Sequence, residues 1–397
     1  MLDMEAIKNF SIDKSDWQKV KFGDVVFEPK ESVKDPVAEG IEHVVGLEHI
    51  DSEDIHLRRS ASIEESTTFT KKFCKGDVLF GRRRAYLKKA AKASFEGICS
   101  GDITVMRATE ELLHPELLPF VVNNNKFFEH AVQHSAGGLS PRVKFKDLAQ
   151  YEFHVPSKAI QSQMLSLFEI AQSTITKEKE LLESVNTAHN ALLKELEMQI
   201  KGSSDAIGDF VEIKNGFAFS GKYISNDETD KILMTPGNFN IGGGFSSKKF
   251  KYYLNDDFEQ KFILNESDLI ITMTDLSKEG DTLGSPAFVP TIPNKTVLHN
   301  QRLGKVEIKK EGLSPDFLLH ILQTPRYRSH ILRASTKTTV SHTYPARIKG
   351  FKFNNLKETE QLRWVIKFRK IRDTKELCEN HLRNSIKLTN KIIEMVF

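Results

Sequence analysis

The patterns that most resemble a catalytic motif are two Glu-x-Lys tripeptides in the second half of the chain. Glu212-x-Lys214 and Glu307-x-Lys309 have the form found in metal-dependent nucleases, where a carboxylate binds the metal ion that activates the attacking water. The same tripeptide is expected by chance in a chain of 397 residues that has 57 basic and 54 acidic side chains. A stand-alone DNA nuclease using these motifs is therefore an alternative and not the leading interpretation.

A second pattern has the spacing of a phosphate-binding loop. Residues 216–222 match G-x4-G-K, but Tyr223 stands where a Ser or Thr hydroxyl would bind Mg²⁺. The bulky Phe217 and Phe219 do not leave backbone N–H groups free to wrap a phosphate. We interpret the segment as a strand and turn with both Phe side chains buried.

Other signs of catalysis are missing from the sequence. It contains neither G-x-S-x-G nor H-E-x-x-H, and its 13 His do not cluster with Cys or carboxylates at metal-ligand spacing. An adenine methyltransferase would need an Asp/Asn-Pro-Pro-Tyr/Phe motif, and no Pro-Pro occurs. Cys74, Cys99 and Cys378 are too far apart for a metal knuckle, and the last two are expected to be core thiols. We predict a non-catalytic chain with no metal or cofactor of its own.

Basic residues are concentrated in two segments, although the formal net charge is only +3. Residues 71–92 contain nine Lys or Arg and one acid, and residues 326–352 contain seven and no acid. Two such segments in a weakly charged chain predict two separate contacts with a polyanion.

The first basic segment has residue types that suit DNA. Three consecutive Arg follow Gly81, and a guanidinium can fork onto guanine O6 and N7 or onto phosphate. Tyr86 suits either stacking on DNA or a half-buried anchor. From 137 to 146, basic residues alternate with apolar ones, which predicts a strand with one buried and one basic face. The candidate DNA-binding residues of the first half are Arg82, Arg83, Arg84, Tyr86, Lys88, Lys89, Ser140, Arg142, Lys144 and Lys146.

The second half carries hydroxyls and His at the corresponding point. These groups suit base edges and phosphates. The residues at the end of its predicted strand are Met273-Thr274-Asp275, where the first half has the Arg run. The two halves should therefore recognise different DNA sequences. The candidate residues here are Lys337, Thr338, Ser341, His342, Tyr344, Arg347 and Lys349.

The two halves match each other in four short segments that occur in the same order. Their offset grows from 185 to 200 residues, as expected if loops are longer in the second copy. The matched pairs are residues 23–26 with 208–211, 76–80 with 267–271, 114–118 with 314–318, and 151–153 with 351–353. The sequence therefore predicts an internal duplication.

Each copy has the same predicted order of elements. Short strands bounded by Gly, Asp and Asn come first, at residues 77–80 and 103–106 and at 269–273 and 305–308. A helix opened by Pro follows, at 115–128 and 315–332. A basic segment and a short strand then lead into a long helix.

The long helices are predicted by heptad spacing of apolar residues. Eight of eleven seam positions between 164 and 199 are apolar, as are seven of ten between 364 and 396. A narrow apolar stripe of this kind requires a partner helix. We predict that the two helices pair with each other in antiparallel orientation, with His189 as a packed polar residue of the seam. Two helices packed on separate cores are the alternative.

Composition limits the compartment and the partners. No stretch reaches about 18 apolar residues, so no membrane span is expected. The N-terminal residues have no continuous apolar core and do not look like a secretory signal. A cytoplasmic protein without a membrane partner is expected.

The residues resemble a specificity (S) subunit of a type I restriction–modification system. The resemblance is carried by residues 75–86 (KGDVLFGRRRAY), by 137–148 (GGLSPRVKFKDL) with Phe153, Pro156 and Gln161, and by 214–219 (KNGFAF). It covers nearly the whole chain through the order of these motifs and the doubled layout.

This resemblance implies an α+β fold with two similar target-recognition domains separated by two long antiparallel helices in a pseudo-two-fold coiled coil. The implied boundaries are 1–157 and 203–355 for the domains and 158–202 and 356–397 for the helices. Each domain would read half of a bipartite site in double-stranded DNA. The helices would set the spacer and dock two methyltransferase (M) subunits, and restriction (R) subunits would complete the nuclease. AdoMet, ATP and Mg²⁺ would belong to those partners. A coiled-coil scaffold with no DNA role is a third interpretation.

Overall fold

The computed structural model describes residues 12–63, 68–275, 277, 280–333 and 341–397. The chain divides into two compact units. The first unit comprises Met1–Glu180 with Glu379–Phe397, and the second comprises Leu181–Cys378. Each unit thus contains a globular part and a portion of both long helices.

Short strands make up the globular part of each unit. In the first unit they are β1 Gln18–Lys21, β2 Val26–Phe27, β3 His43–Val45, β4 Ala61–Ser62, β5 Lys71–Phe73, β6 Val78–Gly81, β7 Ala90–Lys92, β8 Gly97–Cys99, β9 Ile103–Ala108 and β10 Glu152–Val155. In the second unit they are β11 Asp205–Ala206, β12 Val211–Asn215, β13 Ile224–Ser225, β14 Lys231–Met234, β15 Lys251–Tyr253, β16 Ile263–Leu264, β17 Leu269–Thr272, β18 Thr274–Asp275, β19 Pro286–Phe288, β20 Thr296–His299, β21 Leu303–Ile308, β22 Ser341–His342 and β23 Lys352–Phe353.

The helices are short except for two. They are α1 Phe22–Val25, α2 Leu118–Val122, α3 Asn125–Gln133, α4 Phe145–Leu148, α5 Lys158–Gln199, α6 Ile207–Phe210, α7 Pro315–Ile321, α8 Pro325–Leu332, α9 Pro345–Lys349 and α10 Glu358–Val396. No helix of the described part of the chain is long and apolar enough to cross a bilayer.

The sheets of the two units have the same topology where the sequence matches lie. The four-stranded sheet β2-β9-β6-β7 of the first unit corresponds to β12-β21-β17-β19 of the second, and all neighbours in both are antiparallel. Each unit has one further sheet with a single parallel pair, β3 with β8 and β14 with β20. The predicted duplication is confirmed by this correspondence.

The duplication extends to individual hydrogen bonds. Gln161 and Gln361, 200 residues apart, are each about 1% exposed. Their Oε1 atoms accept the N–H of His114 at 2.7 Å and of Ser314 at 3.0 Å. Their amide groups donate to the carbonyls of residues 112 and 156, and of 312 and 356, at 2.8–2.9 Å. Each glutamine therefore fastens the start of a long helix to the globular part of its own unit.

The long helices pack against each other in antiparallel orientation within each unit, as predicted. In the second unit Trp364 Nε1 donates to Gln199 Oε1 at 3.1 Å, and the Phe368 ring lies 5.7 Å from that of His189. In the first unit Ser385 donates to Glu178 at 3.1 Å. Partner numbers fall along one helix as they rise along the other. The coiled-coil prediction is confirmed, and His189 is a packed polar residue of this interface.

The predicted Pro-opened helices are each broken in two, so that part of the prediction is wrong. In the first unit a 3-10 turn and α2 end before Asn124, whose side chain accepts the N–H of Lys126 and begins α3. In the second, Thr324 has extended backbone (ψ 146°) and Pro325 opens α8. The residue before a proline avoids the helical region, so the helix must restart there.

The core of each unit joins sheet, short helices and the long helices. In the first unit Phe22, Phe80 and Phe127 are buried together, and Phe168 and Phe397 of the long helices pack with them. Cys99 and Cys378 are buried, as predicted, and burial raises the pKa of the Cys99 thiol to about 12.

Candidate nucleic-acid interface

The two predicted DNA-binding segments of the first half meet in the structure. Arg83 and Arg142 form an antiparallel bridge. The Arg84 N–H donates to the Pro141 carbonyl at 2.9 Å, and the Val143 N–H donates to the Arg82 carbonyl at 3.1 Å. We call the surface formed by residues 82–86 and 136–146 the basic platform. Backbone bonds hold the two segments together, and Arg82 Nε also donates to the Val143 carbonyl at 3.1 Å.

One carboxylate organises the guanidinium groups of the basic platform. Asp102 accepts from Arg142 Nε at 2.7 Å and forms a longer ion pair with Arg83 at 3.4 Å. The hydrogen bond from Arg142 holds the pKa of Asp102 below its usual range. Arg142 stays exposed and Arg83 partly exposed, so the pairs orient the guanidinium groups without burying them. The arrangement leaves planar donors facing solvent, the geometry needed to recognise phosphate or guanine.

A strained residue lies at the centre of the basic platform. Arg84 has φ +55°, which non-glycine residues rarely adopt. Its backbone bond to Pro141 holds this conformation, and Ser140 Oγ accepts from Arg83 at 3.2 Å and from Arg84 at 3.4 Å. Strain of this kind persists where surrounding bonds fix it, and it is frequent at binding sites.

The tip of the second loop of the platform carries an apolar side chain. Leu139 is 97% exposed. Ala136 and Arg142 exchange two backbone hydrogen bonds below it, at 2.9 and 3.0 Å, and Gly137 turns the chain with φ +112°. The tip is therefore a short turn closed at its base.

The basic–apolar alternation of residues 137–146 does not form the predicted strand. Val143 is buried, but Lys144 precedes α4, and the buried residue of that helix is Leu148. Val143 and Phe145 are two residues apart, as apolar residues are in a strand, whereas Phe145 and Leu148 are three apart, as on one face of a helix. The helix is the element that forms. Lys144 and Lys146 are exposed and, with Arg82, line a cleft of about 680 Å³ that also contains Glu28 and Lys30.

The remaining first-half candidates differ in availability. Tyr86 is 55% exposed, on a 3-10 turn that follows Arg84. Lys88 donates to Asn125 Oδ1 at 2.7 Å, and Lys89 donates to the Leu47 carbonyl at 2.7 Å. Both lysines therefore have acceptors within the protein.

The second unit builds the same backbone arrangement with different side chains. Thr274 pairs with His342 as Arg83 pairs with Arg142, and the Thr343 N–H donates to the Met273 carbonyl at 2.9 Å. The Thr274 hydroxyl and His342 Nδ1 lie 3.1 Å apart. Where the first unit presents two guanidinium groups, the second presents the exposed imidazole of His342, and the Thr274 hydroxyl beside it is buried.

The other second-half candidates differ in burial and in the groups to which they bond. Ser341 is buried, whereas Tyr344 is 57% exposed. Arg347 Nε donates to the His330 carbonyl at 3.0 Å, and Lys349 forms a 2.6 Å ion pair with Glu212. Lys337 and Thr338 lie outside the described residues.

The Glu-x-Lys residues lie on adjacent antiparallel strands. Glu212 of β12 is opposite Glu307 of β21, and the ion pair with Lys349 lowers the pKa of Glu212. Within the described ranges, no three His, Cys, Asp or Glu side chains come together in a group that could hold a metal ion.

The segment with phosphate-loop spacing follows strand β12 and ends in a 3-10 turn at Gly221–Tyr223, as the strand-and-turn prediction requires, but only one of its two Phe side chains is fully buried. Phe219 is buried and packs edge-to-face on the partly buried Phe217, with ring centroids 5.1 Å apart. A Cβ at Gly216 would lie 2.3 Å from the carbonyl oxygens of His299 and Asn300. Glycine is required there by backbone approach, which explains the motif without a phosphate.

Sequence reasoning missed Asp102. The residue lies in a turn between two buried strands, and no short motif connects it to arginines 19 and 40 positions away. An indication was available in the sequence: Ser100-Gly101-Asp102 is a turn signal between β-type segments, and turn carboxylates often face the loops beside them.

No protein-family model and no curated protein matches the chain. Solved structures do match it. One is a chain of a structure described as the structural basis of complex assembly and conformational transition of the type I R-M system, with TM-score 0.59, 16% identity and 96% of each chain covered. Another is the type I restriction–modification S subunit of M. genitalium, with TM-score 0.56, 10% identity and 98% of each chain covered. The HsdS subunit of Thermoanaerobacter tengcongensis also matches, at 16% identity over 98% of each chain, with a TM-score of 0.43.

The duplicated α+β unit with paired long helices is thus a fold found in type I restriction–modification systems. In particular, it is the fold of the type I specificity (S) subunit, over nearly the full length of both chains. The resemblance found in the sequence is confirmed at the level of the fold.

Proposed function

We propose that this chain is the DNA-recognition subunit of a type I restriction–modification complex and that each unit reads one half of a bipartite site in double-stranded DNA. The shared fold supports the role, and the polar surfaces described above support the two-part reading. The chain would work in the cytoplasm, where its DNA substrate lies.

The observation that carries the proposal is the pair of equivalent scaffolds with different side chains. Arg83 and Arg142 in the first unit occupy the backbone positions of Thr274 and His342 in the second. In both, backbone hydrogen bonds hold the arrangement, so side chains can change without loss of the scaffold. Guanidinium groups favour guanine, whereas an exposed imidazole such as that of His342 is not a fork of parallel donors and suits other base edges or phosphates. Two different half-sites follow.

Affinity for the duplex would come from cations around each scaffold. Lys144 and Lys146 are exposed beside the basic platform of the first unit. Such lysines neutralise phosphates and release counterions, which gives affinity without sequence preference. The arginines on the platform would supply selectivity.

The long helices would set the spacer between half-sites and dock two methyltransferase subunits. They pack against each other within each unit. Restriction subunits would complete the complex. AdoMet, ATP and Mg²⁺ would be held by those partners, and the methyltransferases would flip an adenine in each half-site.

The test is co-expression of the full chain with the methyltransferase encoded beside it, followed by methylome sequencing of the host. The proposal predicts a co-purifying complex and one bipartite motif with a methylated adenine in each half. Cleavage of DNA by the purified chain with Mg²⁺ alone would instead establish the nuclease alternative. If the chain with its partner produced no electrophoretic mobility shift of DNA at low or moderate salt, the scaffold interpretation would stand instead.

A further inference from the structure

One turn in each unit has the same geometry but opposite charge. Residues 100–103 and 300–303 both close with a hydrogen bond from the fourth N–H to the first carbonyl, at 2.9 and 3.0 Å. In both, the side chain of the first residue accepts the N–H of the third, at 3.2 and 2.9 Å. The third residue is Asp102 in the first unit and Arg302 in the second.

Both turns are attached to the strand exit that leads to the recognition side chains. The Arg82 N–H donates to the Asp102 carbonyl at 3.0 Å, and the Met273 N–H donates to the Arg302 carbonyl at 2.8 Å. Arg302 therefore occupies the same position relative to Thr274 in the second unit as Asp102 occupies relative to Arg83 in the first.

The charge reversal changes what the turn does. Asp102 is used within the protein, because it orients Arg83 and Arg142. Arg302 is exposed, and its guanidinium enters no ion pair found among the described residues. In the second unit residues 273–277 include no arginine, and the backbone bond to Met273 places Arg302 next to the strand that bears Thr274. The guanidinium of Arg328 is used within the protein, because it donates to the Leu283 and Gly280 carbonyls.

We propose that Arg302 is a specificity-determining residue of the second unit and recognises a guanine in the second half-site. The inference rests on the proposed function. Its chemistry is that of the guanidinium fork, two parallel N–H donors matched to guanine O6 and N7. A lysine at the same position would keep the charge and lose the paired donors.

The experiment is a binding selection from a random duplex library by the full chain in complex with its methyltransferase. Three variants are compared with the wild type: Arg302→Ala, Arg302→Lys, and Lys261→Ala as a control that removes another exposed cation from the globular part of the same unit. We expect Arg302→Ala to lose about tenfold or more selectivity at one G·C pair of the second half-site, with the first unchanged. Arg302→Lys should recover overall affinity but not that selectivity. The control should keep the wild-type motif.

Two results would overturn the inference. One is an unchanged second half-site in Arg302→Ala. The other is full recovery of selectivity by Arg302→Lys, which would assign Arg302 to phosphate. Because the side chain is exposed, thermal melting of the variants should match the wild type. If the wild-type complex itself selects no bipartite motif, the proposed function fails first, and that outcome is distinct from both.

Discussion

Replacement of Gln161 by Leu should destabilise the first unit, since this buried side chain connects the long helix α5 to the sheet domain. The variant keeps nearly the same volume and removes three hydrogen bonds: one accepted from His114 N–H at 2.7 Å and two donated to the carbonyls of Leu112 and Pro156 at 2.8 and 2.9 Å. With Gln161 about 1% exposed, solvent does not replace these partners. Each stranded buried group costs roughly 1–3 kcal/mol, so three of them should give a loss of at least about 3 kcal/mol.

The chain offers a clean assay because it has two tryptophans, one in each unit. In a Trp364→Phe background, the fluorescence of Trp17 follows urea unfolding of the first unit alone. Gln163→Leu is the matched control, since that glutamine is exposed on the same helix and the chemical change is identical. The control should shift the free energy of unfolding by less than about 0.5 kcal/mol.

The reasoning would be refuted if Gln161→Leu and Gln163→Leu had equal effects, or if Gln161→Leu cost less than about 1 kcal/mol. The duplication adds a second check. Gln361→Leu, followed by Trp364 in a Trp17→Phe background, should reproduce the loss in the second unit, because Gln361 makes the equivalent bonds.

Four further predictions concern the affinity for DNA, the selectivity for DNA sequence, the dependence of stability on pH, and the length of the long helices. Changing Arg82, Arg83 and Arg84 to Ala should weaken DNA binding and lower the salt slope by about 0.9 for each phosphate that the variant no longer neutralises; an unchanged slope in a salt titration would show that this loop does not touch the DNA backbone. Asp102→Asn should alter selectivity in the first half-site. The free energy of unfolding should stay within about 1 kcal/mol of wild type, because exposed ion pairs contribute little. An altered second half-site in the binding selection would contradict this. Burial lowers the pKa of His320, and also that of His299, to about 4 from 6.5, so the folded state binds fewer protons than the unfolded state as pH falls from 6.5 to 4. Each of the two residues should then cost the second unit about 3 kcal/mol over that range, and His320→Phe should remove one of the two shares in urea titrations. Lengthening both long helices by matched heptads should lengthen the spacer of the methylated motif and leave both half-sites intact; a changed half-site would contradict the ruler role.

The repeated fold could be predicted from the sequence because it leaves regular signals. Heptad spacing indicated the long helices, and matches at an offset of 200 indicated the copies. The same offset connects Gln161 with Gln361 and His130 with His330, whose imidazoles both contact a carbonyl 17 residues ahead, at 2.9 Å. A search for further pairs at this spacing would have found these structural residues in advance.

The predicted secondary-structure elements were wrong where an apolar sequence pattern competes with a local conformational restriction or with tertiary packing. The apolar periodicity of residues 315–332 runs through Pro325, and the conformational restriction that proline places on Thr324 breaks the helix. Residues 142–146 alternate as a strand would, but a helix at Phe145–Leu148 buries Leu148 instead. Short apolar patterns fit both periods, and tertiary packing decides between them.

The site was predictable as residue types but not as contacts. Arg82 to Arg84 and the loop ending at Arg142 were recognised separately. Their meeting depends on the backbone pairing of Arg83 with Arg142, 59 positions apart, which no local pattern encodes. The role of Asp102 follows from that pairing, so it too required the structure.

The most direct test of the central claim is an exchange of residues 1–155 for the corresponding domain of a relative with a different motif, followed by methylome sequencing of cells that carry the hybrid and the methyltransferase. We predict a hybrid motif in which one half-site is replaced and the other half-site and the spacer are retained. Alteration of both half-sites, or retention of the original motif, would contradict the claim that each unit reads its own part of the DNA.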